Sequence, residues 1–157
     1  MANRGPLAAV LIVDPIIAGR SENANGAGAG ALAPYARGDG SGTNGGTLTG
    51  GVVLTVAQLL TGFYSANGGS ASRTLTLPSF ANLTNATTGL LKGVGDRFDV
   101  TIANVGATDN LVITGVTNVT VLVADASDAT ITPTHVAIVS LIRISSTDVV
   151  ACVALYG

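Results

Sequence analysis

A chain of 157 residues in which 47% of the side chains are apolar and only 10% are charged has a core to fill and little charge to cover it with; average soluble proteins carry about 25% charged residues. One His (His135), one Cys (Cys152), one Glu (Glu22) and one Lys (Lys92) supply too few acids, bases and nucleophiles for clustered catalytic chemistry, so the composition speaks against an enzyme and against a bound metal or organic cofactor. The net charge of −2, with Lys and Arg spread singly along the chain, offers no footprint for nucleic acid, and no run approaches the ~20 apolar residues of a membrane-spanning helix.

Three zones follow in chain order. Residues 1–18 read as an apolar arm, with Leu7, Val10, Leu11, Ile12 and Val13 before Asp14-Pro15, and Ile16 and Ile17 after it. Pro15 excludes a central position in a sheet, and Asp14-Pro15 breaks what would otherwise mimic the apolar stretch of a signal peptide. These seven apolar side chains are candidate anchors on a partner surface. Residues 19–50 are rich in Gly, Ala, Ser and Asn without hydrophobic period, and read as a flexible linker that becomes ordered only against a partner.

Residues 51–157 carry the folded domain. Thr55 and Gln58 have the spacing of a capping box, which opens a short helix that Gly62 stops. Arg73-Thr74-Leu75-Thr76-Leu77 alternates as a strand and ends at Pro78; residues 79–87 read as a second short helix with Phe80 and Leu83 on one side. From Gly95 onward the pattern is β throughout. Phe98, Val100 and Ile102 alternate with Arg97, Asp99 and Thr101, and short strands follow near 111–114, 119–123 and 130–132 between Gly, Asn and Asp turns. Such spacing predicts an all-β fold, an antiparallel sandwich of jelly-roll type with one or two short helices behind a flexible arm.

The last two predicted strands, 136–144 and 149–156, are apolar on both alternating faces, where a strand with one wet face should alternate. In a domain of this size the second cover is expected from another subunit, which predicts an obligate homo-oligomer. The candidate interface residues are Val136, Ile138, Val139, Leu141, Val150, Cys152 and Tyr156.

Other motifs have plain readings. Arg37-Gly38-Asp39 spells an integrin-binding tripeptide but arises readily in a Gly-rich chain. Three N-x-T sequons at Asn82, Asn85 and Asn118 are expected where Asn and Thr are abundant. Gly26, Gly28 and Gly30 lack the strand, helix and Lys of a phosphate loop. Asp96, Asp99, Asp125 and Asp128 read as solvated turn carboxylates, since no loop has the oxygen density that calcium needs. The lone His135 has no partner for catalysis. At a subunit interface it would lend assembly a mild pH sensitivity.

Val53-Leu54-Thr55-Val56-Ala57-Gln58-Leu59-Leu60-Thr61-Gly62, followed by Arg73 to Pro78 and by Val94-Gly95-Asp96-Arg97-Phe98 through Ile102-Ala103-Asn104, resembles the pattern of small capsid-associated proteins of viruses and phages. The resemblance covers about two thirds of the chain and leaves out residues 1–50. It implies a jelly-roll-like domain and a homotrimer at the capsid surface, acting as a decoration, cement or short-spike protein that stabilises the shell exterior. Its partners would be itself and the major capsid protein or neighbouring capsomers, with the arm on the shell. The alternative is a receptor- or glycan-binding module of a phage fibre, for which Phe63 and Tyr64 are the candidate contacts.

Overall fold

The computed structural model describes residues 35–37, 42–125 and 129–157; the seven candidate anchors from Leu7 to Ile17 lie outside them, as do Gly38, Asp39 and Asp128. In chain order the elements are β1 (Tyr35–Arg37), β2 (Thr43–Thr47), β3 (Val52–Val53), α1 (Val56–Leu60), β4 (Phe63–Asn67), β5 (Arg73–Thr76) and α2 (Phe80–Leu83). There follow β6 (Arg97–Asn104), β7 (Leu111–Thr114), β8 (Val119–Leu122), β9 (Thr130–Ile131), β10 (Val136–Arg143) and β11 (Val149–Tyr156).

From β2 to β10 the chain crosses between two sheets at every step. Strands β2, β4, β6, β8, β10 and β11 belong to the larger sheet, in the order β2-β4-β6-β10-β11-β8, with β1 beside β6; β3, β5, β7 and β9 form the smaller one. The winding is regular enough to leave a numerical trace. Phe63 opposes Thr101 in the larger sheet and Arg73 opposes Leu111 in the smaller, so β4 to β6 and β5 to β7 share one offset, 101 − 63 = 111 − 73 = 38 residues. The first half of the fold is thus a stack of three two-strand turns, closed on the β6 side by the β10–β11 hairpin.

This overturns the antiparallel jelly roll. Six of the nine strand pairings among the described residues are parallel, and the antiparallel ones are β10 with β6, β10 with β11, and β7 with β9. Alternating apolar residues tell which side of a strand is buried, not which way its neighbour runs. A parallel pair needs a long return path, and here the excursion through the other sheet supplies it. The zone expected to be a linker also contributes structure: β1 pairs with β6, and β2 with β4.

Local chemistry sets the helices. Thr55 Oγ1 accepts from Gln58 N (3.2 Å) and Gln58 Oε1 accepts from Thr55 N (2.8 Å), the reciprocal capping box that the spacing predicts. Gly62, at φ 78°, then turns the chain into β4. The second helix is one turn, capped by Ser79 (Asn82 N to Ser79 Oγ, 3.4 Å), shorter than the 79–87 expected. Arg143, at the end of β10, holds it in place: its guanidinium lies 5.5 Å from the Phe80 ring centre and donates from Nη1 to Lys92 O (2.9 Å).

The core lies between the sheets and is mostly aliphatic, with Leu59, Leu75, Leu83, Leu91, Ile102, Leu111, Ile131, Val139 and Leu141 all fully buried. Among the described residues, the amide that enters this core is that of Asn104, 1% exposed, at the end of β6. Its Nδ2 donates to Asp109 O (2.7 Å) before β7 and to Ile131 O (2.9 Å) in β9, and its Oδ1 accepts from Gly106 N (3.0 Å). One side chain thereby ties the larger sheet to the smaller. Tyr64 is the largest buried side chain, and its ring leaves no room for a Cβ at Gly45 of the edge strand β2. Burial pushes the Tyr64 phenol above its ordinary value of 10.

Three outcomes are expected in denaturant titrations. Asn104→Ala orphans the buried Ile131 carbonyl, the half-buried Asp109 carbonyl and the buried Gly106 N–H and should remove about 2–4 kcal/mol of stability. Gly45→Ala should cost about 1–3 kcal/mol by overpacking, and a Tyr64→Phe background should relieve part of that cost. Because the folded state favours the neutral phenol, Tyr64 contributes stability that is intact below pH 10 and is lost as pH rises through its higher folded value. The fall in stability above pH 10 should therefore be shallower in Tyr64→Phe.

Candidate functional site

The larger sheet has two faces, and only one is packed by the rest of the described chain. Strand alternation and the pairing register place the side chains of the other face in four rows across β4, β6, β10, β11 and β8. One row is Phe63, Thr101, Ile138 and Ala154; the next is Asp99, Ser140, Cys152 and Leu122. The flanking rows are Ser65, Ala103, Val136 and Tyr156 on one side and Arg97, Ile142, Val150 and Thr120 on the other. Of the large apolar side chains here, Phe63 (41%), Leu122 (50%) and Tyr156 (54%) are exposed and Ile138, Ile142 and Val150 half-buried, as is Cys152; the small Ser65, Ala103 and Ser140 are buried.

The charges in these rows are Arg97 and Asp99, and they engage each other. Arg97 Nε donates to Asp99 Oδ1 (2.9 Å) and Nη2 to Asp99 Oδ2 (3.1 Å), with a further bond from Nη2 to Ser140 Oγ (3.0 Å). A planar guanidinium held in this bidentate manner presents a neutralised, ordered patch to a neighbour. The remainder is apolar, hydroxyl-bearing or small.

The seven residues expected at a subunit interface are divided by the pleat. Val136, Ile138, Val150, Cys152 and Tyr156 lie on the open face; Val139 and Leu141 point between the sheets at 0% exposure and belong to the chain's own core. The two aromatic candidates for receptor contact are separated in the same way. Phe63 is on the open face, whereas Tyr64 is 1% exposed in the core and cannot touch a ligand there. Sequence reasoning missed Thr101, Leu122 and Ala154, which join the face through cross-strand neighbours; a partner register was the missing signal.

His135 precedes β10, with its Nδ1 2.7 Å from Pro133 O and its ring beside Gly157, at the end of the hairpin and not within the four rows. Among the described residues no three His, Cys, Asp or Glu side chains converge, and no helix is long and apolar enough to cross a membrane. The half-buried Asp148 has its carboxylate drawn below its ordinary value by the hydroxyls of Thr147 and Ser145, each donating at 2.7 Å in the β10–β11 turn.

If the open face is a contact surface, its central apolar residues tolerate a charge in an isolated chain and not in an assembly. Ile138→Asp should leave far-ultraviolet circular dichroism unchanged and lower the mass in solution. Val139→Asp, one residue on, should unfold the domain instead. Comparison of the chain with family models, with curated proteins and with solved structures found no match.

Proposed function

We propose that this chain is a structural virion protein, a homotrimeric capsid decoration, cement or short-spike protein that binds and stabilises the exterior of the shell. The observation that carries the reading is the open face of the larger sheet: broad, ordered, poor in charge and rich in Ile, Val and Leu. Strands of five, eight, eight, eight and four residues, rising ~3.3 Å per residue and spaced ~4.8 Å apart, make a footprint of roughly 500 Å². That is of the order of the ~800 Å² per partner in a specific protein interface. Self-association of this face covers it with a surface of the same chemistry, and that accounts for the low charge content of the whole chain. The trimeric count and the capsid as partner come from the resemblance in residues 53–104. In this reading the arm, residues 1–18, reaches across to the shell.

Light scattering on the purified full-length chain tests the assembly, and co-sedimentation with shells stripped of this protein tests the partner. A mass three times that of the chain, 3 × 15.4 kDa, is expected, together with binding that deletion of residues 1–18 abolishes while the mass stays the same. A monomer, or shell binding indifferent to that deletion, would overturn the corresponding half of the proposal.

A further inference from the structure

Two Asn-Gly-Gly triplets fall among the described residues, and both follow one local design. Asn44-Gly45-Gly46 lies in β2 and Asn67-Gly68-Gly69 closes β4; in each, the N–H of the third residue donates to the Asn Oδ1 at 2.8 Å. Gly46 and Gly69 both take left-handed backbone, at φ 64° and 80°. An Asn followed by Gly can close on itself. The backbone nitrogen of the Gly reaches the side-chain Cγ, and without a Cβ nothing hinders the approach. The N–H held on Oδ1 draws electrons from Cγ and is already in place for the oxyanion that forms as the ring closes.

The fold treats the two triplets differently. Asn44 is exposed, its pairing with β4 stops there and resumes out of register at Thr47, and a Cβ at Gly46 would meet nothing within 4 Å. Asn67 is half-buried and Gly68 buried. Asn67 O accepts from Leu48 N (2.8 Å) and Gly68 O from Arg73 Nε (3.2 Å), so the peptide is clamped on both sides. A Cβ at Gly68 would stand 3.1 Å from Asp109 Cβ and 3.2 Å from Ala71 O, which leaves no room for a ring or an attacking water.

We infer that Asn44 is a site of spontaneous, non-enzymatic deamidation from which the fold protects Asn67. Gly45 N gives its proton to hydroxide and bonds to Asn44 Cγ. The bond from Cγ to Nδ2 then breaks, and ammonia leaves with a proton from water, which restores the hydroxide. Water opens the five-membered imide at either carbonyl. Opening at the former main-chain carbonyl leaves an isoaspartyl link, with an extra methylene in the main chain; opening at the other leaves Asp. Either product replaces a neutral amide on the edge strand by a carboxylate. The isoaspartyl form also disturbs the core, because Gly45 lies against the Tyr64 ring and hydroxyl with no space to spare. A longer main chain beside Gly45 shifts it on that ring and loosens β2 from β4. The inference does not rest on the virion reading.

The full-length chain is incubated in mildly alkaline buffer with and without urea, digested and mapped by mass spectrometry, with protein isoaspartyl methyltransferase labelling the β-linked product. Asn25-Gly26 is followed as a separate peptide in the same map. In the native protein Asn44 should convert many-fold faster than Asn67. In urea the two should convert at similar rates, since their triplets are identical. The isoaspartyl fraction, isolated by ion exchange, should unfold at lower denaturant than Asn44→Asp, which carries the same charge without the methylene. An Asn44 that stays intact in the native protein and converts in urea would overturn the site. Native conversion of Asn67 at the rate of Asn44 would overturn the protection, and equal unfolding midpoints would overturn the coupling to β2.

Discussion

A buried amide holds the two sheets in one relation. Asn104 ends the longest strand of the first half and reaches the carbonyls of both the β7 entry and β9. Its backbone meets the turn before β10: Asn104 N donates to His135 O and Thr134 N to Asn104 O, each at 3.0 Å. Aliphatic packing between two sheets is non-directional and would permit them to slide. Hydrogen bonds in a dry interior do not, since a shift of a residue strands polar atoms that water cannot reach. The height of β6 against β7 and β9 fixes that of β10, and through the hairpin that of the whole open face.

That dependence explains why the face is ordered although nothing among the described residues covers it. Beneath it, Phe98, Val100, Ile102, Ala137, Val139, Leu141 and Ala151 are at most 1% exposed. Above it, the same strands show Ile138, Val150 and Cys152. Each strand carries two jobs on alternate residues: one half of its side chains secures the fold and the other half is offered outward.

How much of this was legible in the sequence follows from what each signal encodes. The Thr55–Gln58 box is a local code and was readable to the residue. The strand at 97–104 was readable as well, because Phe98, Val100 and Ile102 mark a buried side. Excess apolarity in 136–144 and 149–156 pointed to a second apolar surface. Strand direction was not readable: Phe63 meets Thr101 across 38 residues, and no periodicity within either strand reports that meeting. Nor was β2 readable, because Thr43-Asn44-Gly45-Gly46-Thr47 has no apolar alternation. Its place in the sheet follows from Tyr64, whose ring demands a neighbour without a side chain, and that demand is written one strand away.

The Gly45–Gly46 kink has a further consequence for the molecule as a material. Stacked parallel turns expose main-chain donors and acceptors at their last strand, and a straight rim of that kind invites unlimited lengthening. Here the rim is bent: the pairing of β2 with β4 slips between Asn44 and Thr47, and Gly46 sits at φ 64°. A strand arriving from another molecule would find its ladder broken after two residues. The fold thus carries its own terminator against end-to-end growth into a fibre.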